Sequence, residues 1–401
     1  MSKLNDLITK LCPDGVQYKK LGEIAVIKKG TQLNKSMLLD DGKYPVLNGG
    51  KGYSGYWNKY NFNGDRIAIS QGGASAGFVT WMKKPFWAGA HCYVIDSSKE
   101  SELRYLFHVI KSHELDYMKA QYGAGIPSLS LKTLSQTEIP LPPLPVREEI
   151  VRILDSFTEL EAELEAELTD RKEQYEYYRD HLLDKKNLER MDGKPIEMKK
   201  LRDVCSKTKT IKWGDSSDSR FYIDLSSVDM NTHKIGELEQ ITAENAPSRA
   251  KQVVKENDLL FATTRPTQMR CCVIPALLNN QICSTGYCVL RVKDASIDIR
   301  YVFRYLTTDK FKAYLGKNQT EGNYPAISDK KLREFQLPVP SLATQERIVD
   351  ILDRFDALTT SLTDGVPAEI AMRREQYEYY RSRLLDFPRL PDGSASVSDG
   401  E

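Results

Sequence analysis

The sequence is poor in the features that would make a chain catalytic, membrane-bound or metal-loaded. No apolar run approaches the roughly 18 residues that a membrane span requires, and the opening MSKLNDLITK lacks a signal-peptide pattern. There is no G-x-x-x-x-G-K-[ST] loop to cradle nucleotide phosphates. Gly72-Gly73-Ala74-Ser75-Ala76-Gly77 does not match G-x-G-x-x-G and reads as a flexible loop. No N-P-P-Y or D-P-P-Y run is present, the element expected for amino-methylation of a base. The five His (91, 108, 113, 181, 233) are dispersed, and the Asp and Glu form no metal constellation. The seven Cys (12, 92, 205, 271, 272, 283, 288) include no C-x2-C pair, and the adjacent Cys271-Cys272 fits no usual zinc spacing. They read as reduced, mostly buried thiols of a cytoplasmic protein. The expectation is a chain without an active site, metal or cofactor of its own.

What the sequence does have is a long helix. From Arg147 to Asp184 there is no Gly or Pro, and Glu, Leu, Ala and Arg dominate. Ile150, Ile153, Phe157, Leu160 and Leu164 recur at spacings of three and four, on one helical face. Leu168, Tyr175 and Leu182 continue at intervals of seven, with Tyr178 between. The step from Leu164 to Leu168 shifts the heptad by four, as a coiled-coil stutter does. Its source is a tandem four-residue repeat, ELEA-ELEA-EL, from Glu159 to Leu168.

This segment occurs twice. Residues 139–160 align with 337–358 without gaps, 11 of 22 positions being identical, including IV-x-ILD-x-F-x-x-L from Ile150 and from Ile348. Residues 171–184 align with 373–386 with 11 of 14 identical, including EQYEYYR at Glu173 and Glu375. Between these blocks the second copy carries Asp364-Gly365-Val366-Pro367, which predicts a broken or kinked helix. The openings KKLGEI at Lys19 and KKLRDV at Lys199 also match, as do Arg104-Tyr105-Leu106-Phe107 and Arg300-Tyr301-Val302-Phe303. So do the Pro turns Ile126-Pro127-Ser128-Leu129-Ser130 and Tyr324-Pro325-Ala326-Ile327-Ser328. A period near 200 residues is too long for a solenoid and means two copies of one large unit.

Each copy predicts short strands, such as 66–69, 92–95, 259–262 and 287–290, then a helical stretch (103–119, 299–315). The fold expected is α+β: two mixed α/β domains separated by two long antiparallel helices in a coiled coil, with a pseudo-two-fold internal repeat. The expected divisions are domains at 1–145 and 186–345, helices at 146–185 and 346–386, and a flexible tail at 387–401. Pro13-Asp14-Gly15, Met191-Asp192-Gly193 and Pro391-Asp392-Gly393 recur at the junctions, so the two chain ends are expected close together.

Charge is segregated along the chain despite a net of +1. Residues 1–145 carry 18 Lys+Arg against 12 Asp+Glu, whereas 146–185 carry 6 against 13. Residues 186–345 carry 26 against 19, and 346–386 carry 6 against 9. Basic domains suit a polyanion; acidic helices suit spacing or protein docking. Candidate nucleic-acid contacts in the first domain are Lys28, Lys29, Gln71, Ser75, Trp81, Lys83 and Lys84. In the second they are Lys209, Lys212, Trp213, Thr264, Arg265, Thr267, Gln268 and Arg270. Lys and Arg meet phosphates, while Arg, Gln, Ser and Thr read base edges. For protein docking the candidates are the repeated tyrosines, Tyr175, Tyr177, Tyr178, Tyr377, Tyr379 and Tyr380.

Taken together, IPLPPLPVREEIVRILDSF at Ile139 with LPVPSLATQERIVDILDRF at Leu337, the paired EQYEYYR-x-x-LLD exits and the paired openings resemble the specificity (S) subunit of type I restriction-modification enzymes. The resemblance covers nearly the full length. It implies that each domain is a target-recognition domain reading one half of a split double-stranded DNA sequence. It further implies that the helices hold the domains apart and dock two DNA methyltransferase (M) subunits. Those subunits hold S-adenosylmethionine and methylate adenine; restriction (R) subunits, using ATP and Mg, add cleavage of unmodified DNA. A 38-residue helix is about 57 Å long, roughly 17 base pairs at 3.4 Å each. Each ELEA unit adds about 6 Å and about 40°, so the repeat is expected to act as a length cassette for the gap between half-sites. A stand-alone, non-catalytic DNA-bridging protein self-associating through its coiled coil is the alternative.

Overall fold

The computed structural model describes residues 2–96, 100–120, 127–215, 219–360 and 365–391. Ile126, Asp364 and the segment from Asp392 onward, including most of the tail, lie outside the described residues. The chain forms two compact units: one combines the residues up to Glu163 with those from Ile370 onward, the other is Leu164–Glu369.

The repeat seen in the sequence is a repeat of backbone pairing. In the first unit the strand Gln17–Lys20 pairs antiparallel with Glu138–Leu141, Gln17 opposite Leu141. In the second, Glu197–Lys200 pairs with Gln336–Val339, Glu197 opposite Val339. Each unit has a four-stranded antiparallel sheet. The first is ordered Val26–Lys29, Cys92–Asp96, Arg66–Ser70, Val79–Met82; the second is Cys205–Ser206, Tyr287–Val292, Leu259–Ala262, Cys271–Val273. All four strands expected from β-branched runs are present. Each unit adds a second sheet, three-stranded in the first and four-stranded in the second, with one parallel pair: Val46 beside Trp87 and Tyr222 beside Ile282. The matched tyrosines tie the copies to the matched prolines: Tyr105 donates to the Pro140 carbonyl at 3.0 Å and Tyr301 to that of Pro338 at 2.9 Å. Ser130 and Ser328 cap the short helices that follow the Pro turns, each accepting a backbone N–H.

The helical stretches differ from expectation in being split. Residues 103–119 fall in two helices, Glu100–Ser112 and Glu114–Lys119, and 299–315 in Ile299–Tyr305 and Asp309–Asn318. In the second copy Thr308 starts a new helix by accepting from the Phe311 N–H, a cap that interrupts the apolar period.

The long helix runs unbroken from Leu144 to Leu182, whereas its counterpart is two helices, Leu342–Thr360 and Val366–Leu384. The break thus falls where Gly365 and Pro367 predict it. In the first unit, Ile150 and the partly buried Ile153 and Phe157 pack into the core as expected. Leu154, which the expected stripe omits, is wholly buried. The helix packs against both the Val366–Leu384 helix and the domain core, so its apolar stripe is wider than an a/d seam. Phe157 stacks on Tyr380 at 5.3 Å, and Arg374 Nε meets Glu161 at 2.5 Å, which makes the two helices antiparallel in this unit. The ends of the chain meet here too. Val16 N donates to Pro388 O at 2.8 Å, Leu390 N to Val16 O at 3.1 Å, and the Tyr18 hydroxyl to Phe387 O at 2.8 Å. Residues 387–391 are therefore ordered against the first domain, which corrects the expectation of a flexible tail beginning at 387.

Candidate nucleic-acid interface

In the first unit the turn after the strand Arg66–Ser70 is built by hydrogen bonds rather than left loose. Gln71 N donates to His91 O at 2.8 Å, Gly73 N to Pro127 O at 2.9 Å, and Leu129 N to Gln71 O at 2.8 Å. Gln71 Nε2 reaches Ser128 Oγ at 3.2 Å, and Asn48 Oδ1 accepts from His91 N at 3.3 Å. Gly73 takes φ +84°, where glycine carries no Cβ penalty. The Gly-rich segment 72–77, expected as a flexible loop, is a fixed one. Lys29 sits at the same end of the sheet, opposite Tyr93, while Ile69 and Tyr93 are also partners. The structure therefore brings Lys29, Gln71 and Ser75 to one end. Lys28 lies beside them but is paired with Asp96 at 2.9 Å.

Lys83 and Lys84 fall at the other end of the hairpin, past the Arg66–Met82 pair, about 14 Å or more from the level of Lys29 and about 20 Å or more from that of Gln71 at 3.4 Å per residue. Trp81 packs on the core, with the Arg104 guanidinium 4.8 Å above its ring and Phe107 at 5.6 Å. One grouping escaped the sequence reading. Tyr44 and Tyr60 meet edge-on at 4.9 Å, Trp57 and Trp87 at 4.6 Å, and Lys43 and Lys59 lie over Tyr44 and Trp57. These residues are scattered from Lys43 to Trp87 with no period, and only the first unit's three-stranded sheet and its flanks gather them.

In the second unit two sites emerge at opposite ends of the strand Leu259–Ala262. At the Leu259 end, Lys209, Lys212, Arg220, Lys255, Asn280 and Arg291 line one open cleft. Arg291 is neutralised by the fully buried Asp258, with bonds of 2.8 and 2.6 Å, and Arg220 donates to the Asn280 carbonyl at 2.5 Å. Trp213 is held by its indole N–H on Ala250 O at 2.6 Å. Lys209, Lys212 and Lys255 remain exposed, so the cleft suits an anionic backbone. At the Ala262 end lies the segment Thr264–Arg270. Arg265 and Gln268 are exposed there, Thr264 and Thr267 half-buried. Arg270 is committed to the fold, its guanidinium donating to the carbonyls of Leu225 and Val228.

The tyrosines of EQYEYYR separate into three roles that recur in both copies. The first of each is held in a latch, Tyr377 buried and Tyr175 partly buried. Tyr377 OH lies 2.9 Å from His108 Nδ1, and His108 Nε2 lies 2.7 Å from Asp155. At the equivalent places Arg304 donates to Tyr175 OH at 2.9 Å and to Asp353 at 2.5 Å. Burial lowers the His108 pKa, outweighing its bond to Asp155, so the imidazole is neutral near pH 7. Burial works against the charge on Arg304, but Tyr175, Asp356 and Asp353 outweigh it and raise its pKa. The third tyrosine packs on the Phe of ILD-x-F: Tyr380 on Phe157 and Tyr178 on Phe355, at 5.3 and 5.6 Å. The middle tyrosine faces solvent, with Tyr177 65% and Tyr379 54% exposed. Tyr177 stacks on His181, and Tyr379 accepts a bond from Arg383 at 2.8 Å.

All seven cysteines are buried, and burial pushes Cys92, Cys272 and Cys288 up to about 12 and Cys205 to about 11. Among the described residues no three His, Cys, Asp or Glu side chains gather as metal ligands, and no helix is long and apolar enough to cross a membrane. A duplicated α/β framework with basic, polar loops and latched helices defines a binding protein.

Comparison with known proteins agrees. The model of the type I restriction modification DNA specificity domain matches twice, at residues 13–171 and 193–372, and the chain belongs to that family. It is similar to the specificity subunit of the Escherichia coli type I restriction enzyme EcoR124I/EcoR124II, being 30% identical with 97% of this chain and 98% of that one covered. A Haemophilus influenzae protein named as a type I restriction enzyme specificity subunit is 28% identical, over 93% and 96%. In fold it is similar to the S subunit of a type I restriction-modification system from M. genitalium. There the TM-score is 0.54 at 19% identity, covering 92% and 96%. The chain is thus a non-catalytic DNA specificity component that needs no cofactor of its own.

Proposed function

We propose that this chain reads a bipartite, gapped DNA target, one half with each recognition domain, for a cytoplasmic type I restriction-modification complex. The domains are assigned to residues 1–145 and 186–345, the spacer helices to 146–185 and 346–386. The observation that carries the reading is duplication of framework without duplication of loops. The two copies share strand register, Pro turns, caps and latches, yet offer Lys29, Gln71 and Ser75 in one and Arg265, Thr267 and Gln268 in the other. Two readers on one scaffold with different side chains suit two different half-sites.

The helices set the gap and dock two methyltransferase subunits, which hold S-adenosylmethionine; restriction subunits that use ATP and Mg join the same complex. The repeated, solvent-facing Tyr177 and Tyr379 support two equivalent docking places. Lys209, Lys212 and Lys255 serve as phosphate contacts.

Methylome sequencing of a methylation-free host expressing the chain with its neighbouring methylase tests this. The expected result is a methylated adenine in each half of one gapped motif, absent when the chain is omitted. Methylation that persists unchanged without the chain would refute it. Strong DNA binding and self-association by the lone chain would favour the bridging alternative.

A further inference from the structure

We propose that Arg265, stacked on Tyr324, reads a guanine in one half-site, and that this pair is the main base-reading difference between the two domains. The inference rests on the bipartite reading above. Its starting point is a backbone conformation. Arg265 sits at φ +49°, ψ +53°, the left-handed region that an L side chain rarely adopts. The equivalent residue of the first unit is Gly73, at φ +84°.

The equivalence is set by matching bonds. Gly73 N donates to Pro127 O at 2.9 Å and Arg265 N to Pro325 O at 2.7 Å. Leu129 N donates to Gln71 O at 2.8 Å and Ile327 N to Thr263 O at 2.9 Å. Gly72 bridges Ser128 as Thr264 bridges Ala326. The turn therefore demands a positive φ in both copies, and glycine is the residue that supplies it without strain. Keeping an arginine there needs a compensating reason outside the turn.

The side chain supplies one. The Arg265 guanidinium lies 5.0 Å from the centre of the Tyr324 ring, which is itself 75% exposed. Among the described residues that guanidinium makes no hydrogen bond or ion pair, so its donors are open. The ring restrains the guanidinium from one side while leaving its donors available.

The platform beneath is rigid. Met269, also left-handed, packs into the core, Gln268 N bonds Arg265 O at 3.0 Å, and Thr263 bonds Gly286 through both its N–H and its hydroxyl. In the first unit a Cβ on Gly73 would meet nothing within 4 Å. Space for a side chain exists in both copies, and only one uses it.

That asymmetry favours a base over a phosphate. Phosphate contacts carry no sequence information, whereas base contacts have to differ between domains that read different half-sites. A preorganised, unpaired guanidinium fork in a groove matches guanine, whose O6 and N7 accept both bonds.

The test uses the assembled complex of this chain with its methyltransferase subunits. Binding is measured to duplexes of the methylome-defined site with each base pair exchanged in turn, at several salt concentrations. Arg265→Gly is expected to fold, since glycine suits the turn, and to lose about 10- to 100-fold of discrimination at one G·C pair. The other half-site and the gap stay unchanged. Arg265→Lys keeps the charge but not the fork and is expected to lose the same discrimination, and it carries the test should Arg265→Gly fail to fold. Tyr324→Ala should weaken discrimination at the same pair, and Tyr324→Phe should retain it.

Uniform weakening on every duplex by Arg265→Gly, with a shallower salt dependence, would mean a phosphate contact and overturn the proposal. Unchanged discrimination, or relaxation at an A·T pair, would overturn it as well. A wild-type complex with no two-part preference would instead strike the bipartite reading itself.

Discussion

His108 and Arg304 occupy equivalent positions, bond equivalent tyrosines and face equivalent aspartates, yet only one of them titrates near neutrality. His108 is wholly buried among Asp155, Tyr377, Arg104 and Arg381. Its pKa is lowered, so the unfolded chain binds more protons as pH falls. The stability it contributes is present above about 6.5, the unfolded value, and is lost as pH drops below it. The first unit is expected to lose thermal stability as pH falls below about 6.5, a loss that His108→Gln should flatten. Unit-resolved hydrogen exchange on wild type and His108→Gln measures it; an undiminished loss in the first unit of the variant would contradict the assignment. The second unit has a partly buried His233, its pKa also lowered by burial, to lose stability through. Tyr377→Phe leaves a buried ring nitrogen unpaired and should cost about 1–3 kcal/mol. Tyr379→Phe, on the exposed tyrosine, should lie within about 0.5 kcal/mol of wild type, and comparing the two melts separates latch from surface. The motif EQYEYYR was legible as a repeated, tyrosine-rich face. That its first tyrosine is latched, its third packed on Phe and its second turned to solvent follows from a 100° turn per residue against two different neighbours.

The long helix was readable because its signal is local: 38 residues without Gly or Pro, and a three–four period. Its break in the second copy was equally readable from Gly365 and Pro367. Leu154 was not, because a heptad template describes one partner and this helix has two. Leu154→Ala should cost about 2–5 kcal/mol by leaving a cavity in the first unit, measurable by chemical denaturation. The length-cassette idea belongs to the same element. The division between the compact units falls between Glu163 and Leu164, inside the four-residue repeat. Deleting Glu161–Leu164 removes about 6 Å of helix while nearly keeping its face. Methylome sequencing of that variant should show a shorter gap between unchanged half-sites; an unaltered gap would sink the idea.

For the molecule as a whole, the chain is closed on itself where its ends meet in the first unit. Phe387 is 6% exposed in that core, and Pro388 and Leu390 bond Val16. Truncation after Asp386 should therefore destabilise the first unit by about 3–5 kcal/mol, the cost of removing a buried aromatic. Truncation after Pro391 should change little, and two-stage thermal unfolding distinguishes the outcomes. The sequence by itself determined the duplication, the alternation of basic domains with acidic helices, the absence of catalytic motifs and the meeting of the ends. Each of these is carried by local composition or by alignment of the chain with itself. Tertiary structure alone decided which polar residues share a face. It set Lys83 and Lys84 apart from Gln71, spent Arg270 on backbone carbonyls, gathered Lys209, Lys212 and Lys255, and left Arg265 free on Tyr324, 59 residues away. The physical reason is that a loop side chain has no period to betray its direction. Its neighbours are chosen by strand register and by hydrogen bonds between segments far apart in the chain.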